Sequence, residues 1–207
     1  MSPLPRPWPA VARASAAGLI MLSLSCRDYP YDSPQAGVLE IRLAVRSSRD
    51  SLFLPFSQSS LFLAVLNSVQ ALDGDGLTLR IYSDLSAIRR SPQHLNLLDP
   101  SARDSIPILG KVYAPPAVFT DIEIRMEFAD TIYLPVPDQA YVNRIPVVWP
   151  PDAVPTDLNV VSGVAIRVEE SRTTRVVVTL DLDQSLLRRP EEFELHPTFY
   201  VSSTVIH

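Results

Sequence analysis

The sequence predicts an all-β domain, a sandwich or barrel of short strands, and three observations carry that expectation. Twenty prolines stand against six glycines in 207 residues. Proline fixes φ and has no donor N–H, so long helices are excluded and short strands joined by stiff loops remain. Three segments alternate with period two, the spacing that puts successive side chains on opposite faces of a sheet. The single cysteine permits no intrachain disulfide, so a core must hold the domain together, and 46% hydrophobic against 20% charged residues can build one.

The first 25 residues read as an export signal rather than as part of the fold. Arg6 and Arg13 make a positive start without acids. Ala14 to Leu24 is an apolar run of about eleven residues, inside the ~7–15 of a signal segment and short of the ~20 that cross a membrane. Leu22-Ser23-Leu24-Ser25-Cys26 resembles a lipobox, where lipoprotein signal peptidase cleaves before a cysteine that carries diacylglycerol. The lipobox leucine three residues before the cysteine is Ser23 here, with leucines on either side. The lone thiol falls where the apolar run ends, and polar Arg27 and Asp28 follow, which makes Cys26 the candidate lipidation site. The alternatives are an ordinary signal peptide with an incidental cysteine, or a cysteine in the core. Residues 26–36 are then anchor and linker, with Pro30 and Pro34 in the Tyr29 to Gln35 stretch, and 37–203 one domain.

Within that domain Leu39, Ile41, Leu43 and Val45 share one face against Glu40, Arg42 and Arg46. Ile122, Ile124, Met126 and Phe128 alternate with Asp121, Glu123, Arg125 and Glu127. Thr174, Val176, Val178, Leu180 and Leu182 alternate with Arg175, Val177, Thr179, Asp181 and Asp183. Ser60 to Val69 is apolar on both faces, as expected of a strand covered on both sides or one that switches partners. Leu77, Leu79 and Ile81 form a strand after a turn at Asp73-Gly74-Asp75-Gly76. Weaker strands are expected at His94 to Leu98, Ile106 to Val112, Thr131 to Leu134, Val147 to Trp149, Asn159 to Val168 and Glu192 to Val201. Pro197 marks the last of these as an edge or a bulge. Glu169-Glu170-Ser171-Arg172 is a polar turn whose flanking strands are expected to pair as a hairpin. Ser83 to Arg90 is the one candidate helical turn, and Pro135 to Pro155 a proline-rich excursion over the surface.

Several stretches resemble, in order, a family of bacterial lipoproteins with a domain of unknown function (the 4382 type). Asn96-Leu97-Leu98 is similar to its Asp-Leu-Leu strand, and Ala114 to Ile124 to a strand entry that begins Pro-Ala-Gly. Thr173 to Ser185, with Leu180-Asp181-Leu182-Asp183, resembles its Thr-rich strand ending Asp-Phe-Asp, and Phe193 to Pro197 its closing Tyr-x-Leu-x-Pro. The glycine of the strand entry is absent, as is an aspartate-proline pair after the first strand. The resemblance implies an antiparallel β-sandwich, immunoglobulin-like or prealbumin-like, on a lipid anchor, and transfers no activity.

The residues themselves offer little chemistry. No basic patch with interleaved aromatics supports nucleic-acid binding, and the net charge of −5 is spread along the chain. No Gly-x-Ser-x-Gly run occurs, and His94, His196 and His207 stand at no ligand spacing. Asp73 and Asp75 invite a calcium reading, but no glutamate follows within twelve residues, and glycine-rich turns have the same look. Asp181 and Asp183 are placed on one strand face, a pair that could serve glycoside hydrolysis or simply face water. Tyr133, Tyr141 and Trp149 punctuate the proline-rich excursion and are the candidate binding surface, unless they plug one end of the sandwich.

The expectation is therefore a lipid-anchored module of the cell envelope, a non-enzyme with a binding or structural role. Its partners are a membrane through the anchor and an envelope protein or carbohydrate, with no cofactor, metal or nucleic acid. Arg27 stands where an aspartate would resemble the inner-membrane retention signal, so the outer membrane is preferred where the cell has one. The alternatives are an envelope hydrolase using Asp181 or Asp183, and a calcium-stabilised adhesion domain.

Overall fold

The computed structural model describes residues 35–48, 60–83, 93–99, 106–136 and 142–207. Two four-stranded sheets and one five-stranded sheet make up an all-β sandwich. The first sheet runs β13 (Phe199–Ile206), β10 (Thr173–Asp181), β1 (Gly37–Arg46), β5 (Ile108–Ala114). The second runs β3 (Thr78–Ser83), β2 (Leu63–Asp73), β6 (Ala117–Phe128), β9 (Leu158–Val168), with β4 (Gln93–Asn96) on the first half of β2. A third, smaller sheet runs β11 (Leu186–Arg188), β12 (Phe193–Leu195), β8 (Val142–Val148), β7 (Thr131–Pro135).

Among the described residues pairing is antiparallel except at two places, where β1 lies parallel to β10 and β12 parallel to β8. The β1–β10 register sets Leu39, Ile41, Leu43 and Val45 beside Thr174, Val176, Val178 and Leu180, so two period-two patterns bury on one face. Ile122, Ile124 and Met126 of β6 face them from the second sheet and are fully buried. In β2 the alternation breaks because the register shifts between Leu66 and Ser68, so that Leu66 and Val69 both reach the core. That shift, and not cover on both faces, explains the mixed pattern: Leu63 is exposed on the outer side.

Four expectations are corrected. The strands either side of Glu169–Arg172 do not form a hairpin: β9 pairs with β6 and β10 with β1 and β13, so the turn carries the chain from one sheet to the other. The turn itself is present, with Ser171 at φ 56. Glu192 to Val201 is not one strand. It divides at His196-Pro197-Thr198 into β12 and β13, in different sheets, and β13 continues to Ile206. The strand read through Asp183 stops at Asp181, whose carboxylate accepts from the N–H groups of Asp183 and Gln184 and caps a one-turn helix, α1 (Leu182–Ser185). The proline-rich excursion also holds more structure than expected, since Ile145 and Val147 of β8 are buried. Pro146 is tolerated because Val147 N–H donates to Asp130 O on the β7 side, which turns position 146 towards β12, where pairing starts only at Val147. The helical turn expected at Ser83 to Arg90 lies almost wholly outside the described residues.

Chain entry is tight. A Cβ on Gly37 would stand 2.2 Å from Glu169 O and 2.7 Å from Val168 Cγ1. Gly37→Ala is therefore expected to cost about 1–3 kcal/mol, the size of core overpacking. Gly74→Ala, which meets nothing within 4 Å, is expected to change stability by less than about 0.5 kcal/mol. Urea unfolding of the two variants checks the contrast; equal midpoints would contradict the close approach at Gly37.

Candidate functional site

The sandwich has two distinct poles. Gly37 pairs with Ala114, and Val38 with Thr173, so chain entry, the start of β6 and the Glu169–Arg172 turn share one pole. β6 then runs twelve residues, about 40 Å at strand rise, to Phe128 at the other. There Met126 N–H donates to Asp157 O at 2.7 Å, extending the β6–β9 ladder, and Val147 bonds Asp130. Trp149 follows directly after β8.

At this second pole an open cleft of about 250 Å³ is lined by Met126, Glu127, Phe128, Trp149, Pro155, Thr156 and Asp157. Trp149 is partly buried and also packs on the core. Two carboxylates flank the aromatic groups and both are oriented. Asp157 Oδ1 accepts from Arg125 at 3.1 Å, and Glu127 Oε1 accepts from Asn67 at 2.9 Å. The Thr156 hydroxyl accepts from Leu158 N–H and so caps the entry to β9. The arrangement offers aromatic groups and carboxylate acceptors at one place, which suits a small polyol or the ring of a sugar. The volume is below the ~300 Å³ of common ligand pockets, so a single ring fits rather than an extended molecule.

Of the aromatic groups expected to form a binding surface, two lie among the described residues, and of these Trp149 lines the cleft. Tyr133 lies on β7, where its backbone pairs with Leu61 and Arg144 stacks over its ring at 5.5 Å, and it does not line the cleft. Tyr141 and Cys26 lie outside the described residues. The other cleft residues were missed because Met126 to Phe128 and Pro155 to Asp157 are far apart in sequence. The usable signal was Trp149 beside Pro150 and Pro151.

Other candidates have structural occupations. Asp181 caps α1 as above, and Asp183 accepts from Ser47 Oγ at 2.7 Å and Ser48 N–H at 2.6 Å, tying the end of β1 to α1. The two carboxylates do not share a strand face. Asp73 Oδ1 accepts from the N–H groups of Asp75 and Leu77, and Gly76 has φ 87, the arrangement of a glycine turn. Among the described residues no three His, Cys, Asp or Glu side chains come together as metal ligands, and no helix is long and apolar enough to cross a membrane. His94 sits on β4 opposite Val65, and His207 pairs with Thr173. His196 Nε2 lies 2.7 Å from Glu194, which also accepts from Arg189 at 2.6 and 2.9 Å. Arg189, and then His196, hold the Glu194 carboxyl below the usual glutamate range.

The fold and the cleft define an all-β sandwich with an aromatic and acidic recess at one pole. The chain matches no family model, no curated protein and no solved structure. The family resemblance in the sequence thus rests on the quoted motifs alone.

Proposed function

We propose that the chain is a lipid-anchored module of the bacterial cell envelope that binds carbohydrate, without catalysis, in the Trp149 cleft. The observation that carries this reading is the cleft itself, where Trp149 and Phe128 stand beside the carboxylates of Glu127 and Asp157. The anchor is Cys26, and the outer membrane is the preferred surface. An aromatic wall with oriented carboxylates supports a sugar over a flat protein patch, because ring C–H groups stack and hydroxyls need acceptors. The carboxylates that a hydrolase would use, Asp181 and Asp183, are engaged in holding α1 and the end of β1, which supports a non-enzymatic role.

The test uses soluble muropeptides from digested peptidoglycan as probe, titrated into the mature protein by calorimetry. Saturable binding is expected, weakened at least about tenfold in Trp149→Ala, the size of an aromatic anchor. Once the leader with Trp8 is removed, Trp149 is the one tryptophan left, so its emission should shift on the same titration. Absence of binding by muropeptides and by neutral oligosaccharides would defeat the proposal, as would binding indifferent to Trp149→Ala.

A further inference from the structure

We propose that β13 is a self-pairing edge, along which two copies of this chain join antiparallel into one continuous sheet. β13 ends the first sheet, and among the described residues it pairs with β10 alone. Its sequence, Phe-Tyr-Val-Ser-Ser-Thr-Val-Ile, carries no charge and no proline, so of the usual protections of an edge it keeps only a bulge, at the register shift opposite Val177 and Val178. Ser202, Ser203, Thr204 and Val205 are exposed, Val205 at 44%. At the opposite edge β5 lies close to β3, where a Cβ on Gly110 would stand 2.8 Å from Ile81 Cγ2.

The occupant follows from the backbone. Thr173 and His207 exchange both hydrogen bonds, and Asp181 N–H donates to Thr198 O at 3.0 Å. In an antiparallel ladder a residue's N–H and C=O point to the same side and alternate along the strand. Thr198, Tyr200, Ser203, Val205 and His207 therefore face β10, while Phe199, Val201, Thr204 and Ile206 face outward. The phase changes at Ser202, the extra residue where the register shifts between Val177 and Val178.

A two-fold axis between Ser202 and Ser203 sets Phe199 against Ile206 of the second copy, Tyr200 against Val205, and Val201 against Thr204. Outward-facing groups then meet outward-facing groups. Without the extra residue at Ser202 these pairs would be out of phase. Side chains agree as well. Tyr200 and Val205 sit beside Thr179 and Arg175 on the outer face, whereas Phe199 and Ile206 sit beside Leu180 and Thr174 on the inner one. Aromatic and β-branched side chains placed opposite each other are the favourable cross-strand pairs. The contact is isologous and closes as a dimer, with the two Gly37 poles at opposite ends.

The experiment is sedimentation velocity of the full chain in mild detergent over a range of concentrations. The wild type is expected to dimerise reversibly. Ser203→Lys and Ser203→Glu each place like charges across the axis, and each is expected to weaken the dimer at least about tenfold. An equimolar mixture of the two should restore it. Thr204→Pro removes an outward N–H that β10 does not use, and should also give monomer, with an unchanged circular dichroism spectrum. The proposal is overturned if the wild type stays monomeric throughout, if the single variants dimerise like wild type, or if the mixture associates no better than its components.

Discussion

Replacing Cys26 by alanine is expected to abolish the lipidated form of the protein completely, the largest effect anticipated for any single substitution here. On the proposed reading, the wild-type mature chain begins at Cys26 and exceeds the mass of residues 26–207 by a diacylglycerol with or without a further acyl chain. One acyl chain gives only marginal membrane binding, whereas two or three hold a protein stably, at roughly 0.8 kcal/mol per buried CH₂. The decisive readout is the intact mass of the wild-type chain recovered from the membrane fraction, with Cys26→Ala as the control that lacks the added mass. An unmodified wild-type N-terminus, or wild-type protein found wholly in the soluble fraction, would remove the anchor and leave the sandwich untouched.

Glu40→Gln is expected to destabilise the domain by about 1–3 kcal/mol. Glu40 lies on the outer side of the first sheet yet is only 4% exposed. Its carboxylate accepts from Arg42 at 2.6 Å and from Arg175 at 3.0 Å, with the Lys111 ammonium at 3.6 Å. A glutamine would leave these cations grouped around a neutral side chain. The three cations are a quarter to half exposed, so the effect stays below the ~3–5 kcal/mol of a fully buried pair.

The same site sets a pH dependence. Burial alone would raise the Glu40 carboxyl, but hydrogen bonds and charge from Arg42 and Arg175 outweigh it and hold the group below its ordinary value of 4.5. In the window between the two values the unfolded chain binds more protons than the folded one, so stability rises with pH there. The Glu40 contribution is complete above about 4.5 and fades as pH falls through the depressed folded value. Glu194 and Asp121, the latter held down by hydrogen bonds from Thr120 and then Ser162, fade in the same sense but remain in the variant. Urea unfolding of wild type and Glu40→Gln should thus differ by a constant amount above pH 5 and converge in stronger acid. A difference that does not change with pH would show that Glu40 acts through shape rather than charge.

By itself, the sequence determined the fold class and most strand positions. The alternation of apolar residues in Leu39 to Val45, Ile122 to Met126 and Thr174 to Leu180 is a local property, and the structure buries the apolar face of each, although Glu40, Val177 and Thr179 on the other face are buried too. The Asp73 to Gly76 turn was legible for the same reason, since its hydrogen bonds span only a few residues. Tertiary structure decided which strands are neighbours. The parallel pairing of β1 with β10 joins segments more than a hundred residues apart, and only that pairing brings Arg175 to Glu40. A hairpin was the local expectation at Glu169–Arg172, yet burial on two faces of one core sends its arms to different sheets. Trp149 was visible in the sequence as an aromatic group in a proline-rich stretch, whereas Phe128 and Asp157 join it because β6 ends and β9 begins at the same pole. Burial of alternate side chains fixes where a strand lies. Which edges meet depends on how three sheets share one core, and no local pattern records that.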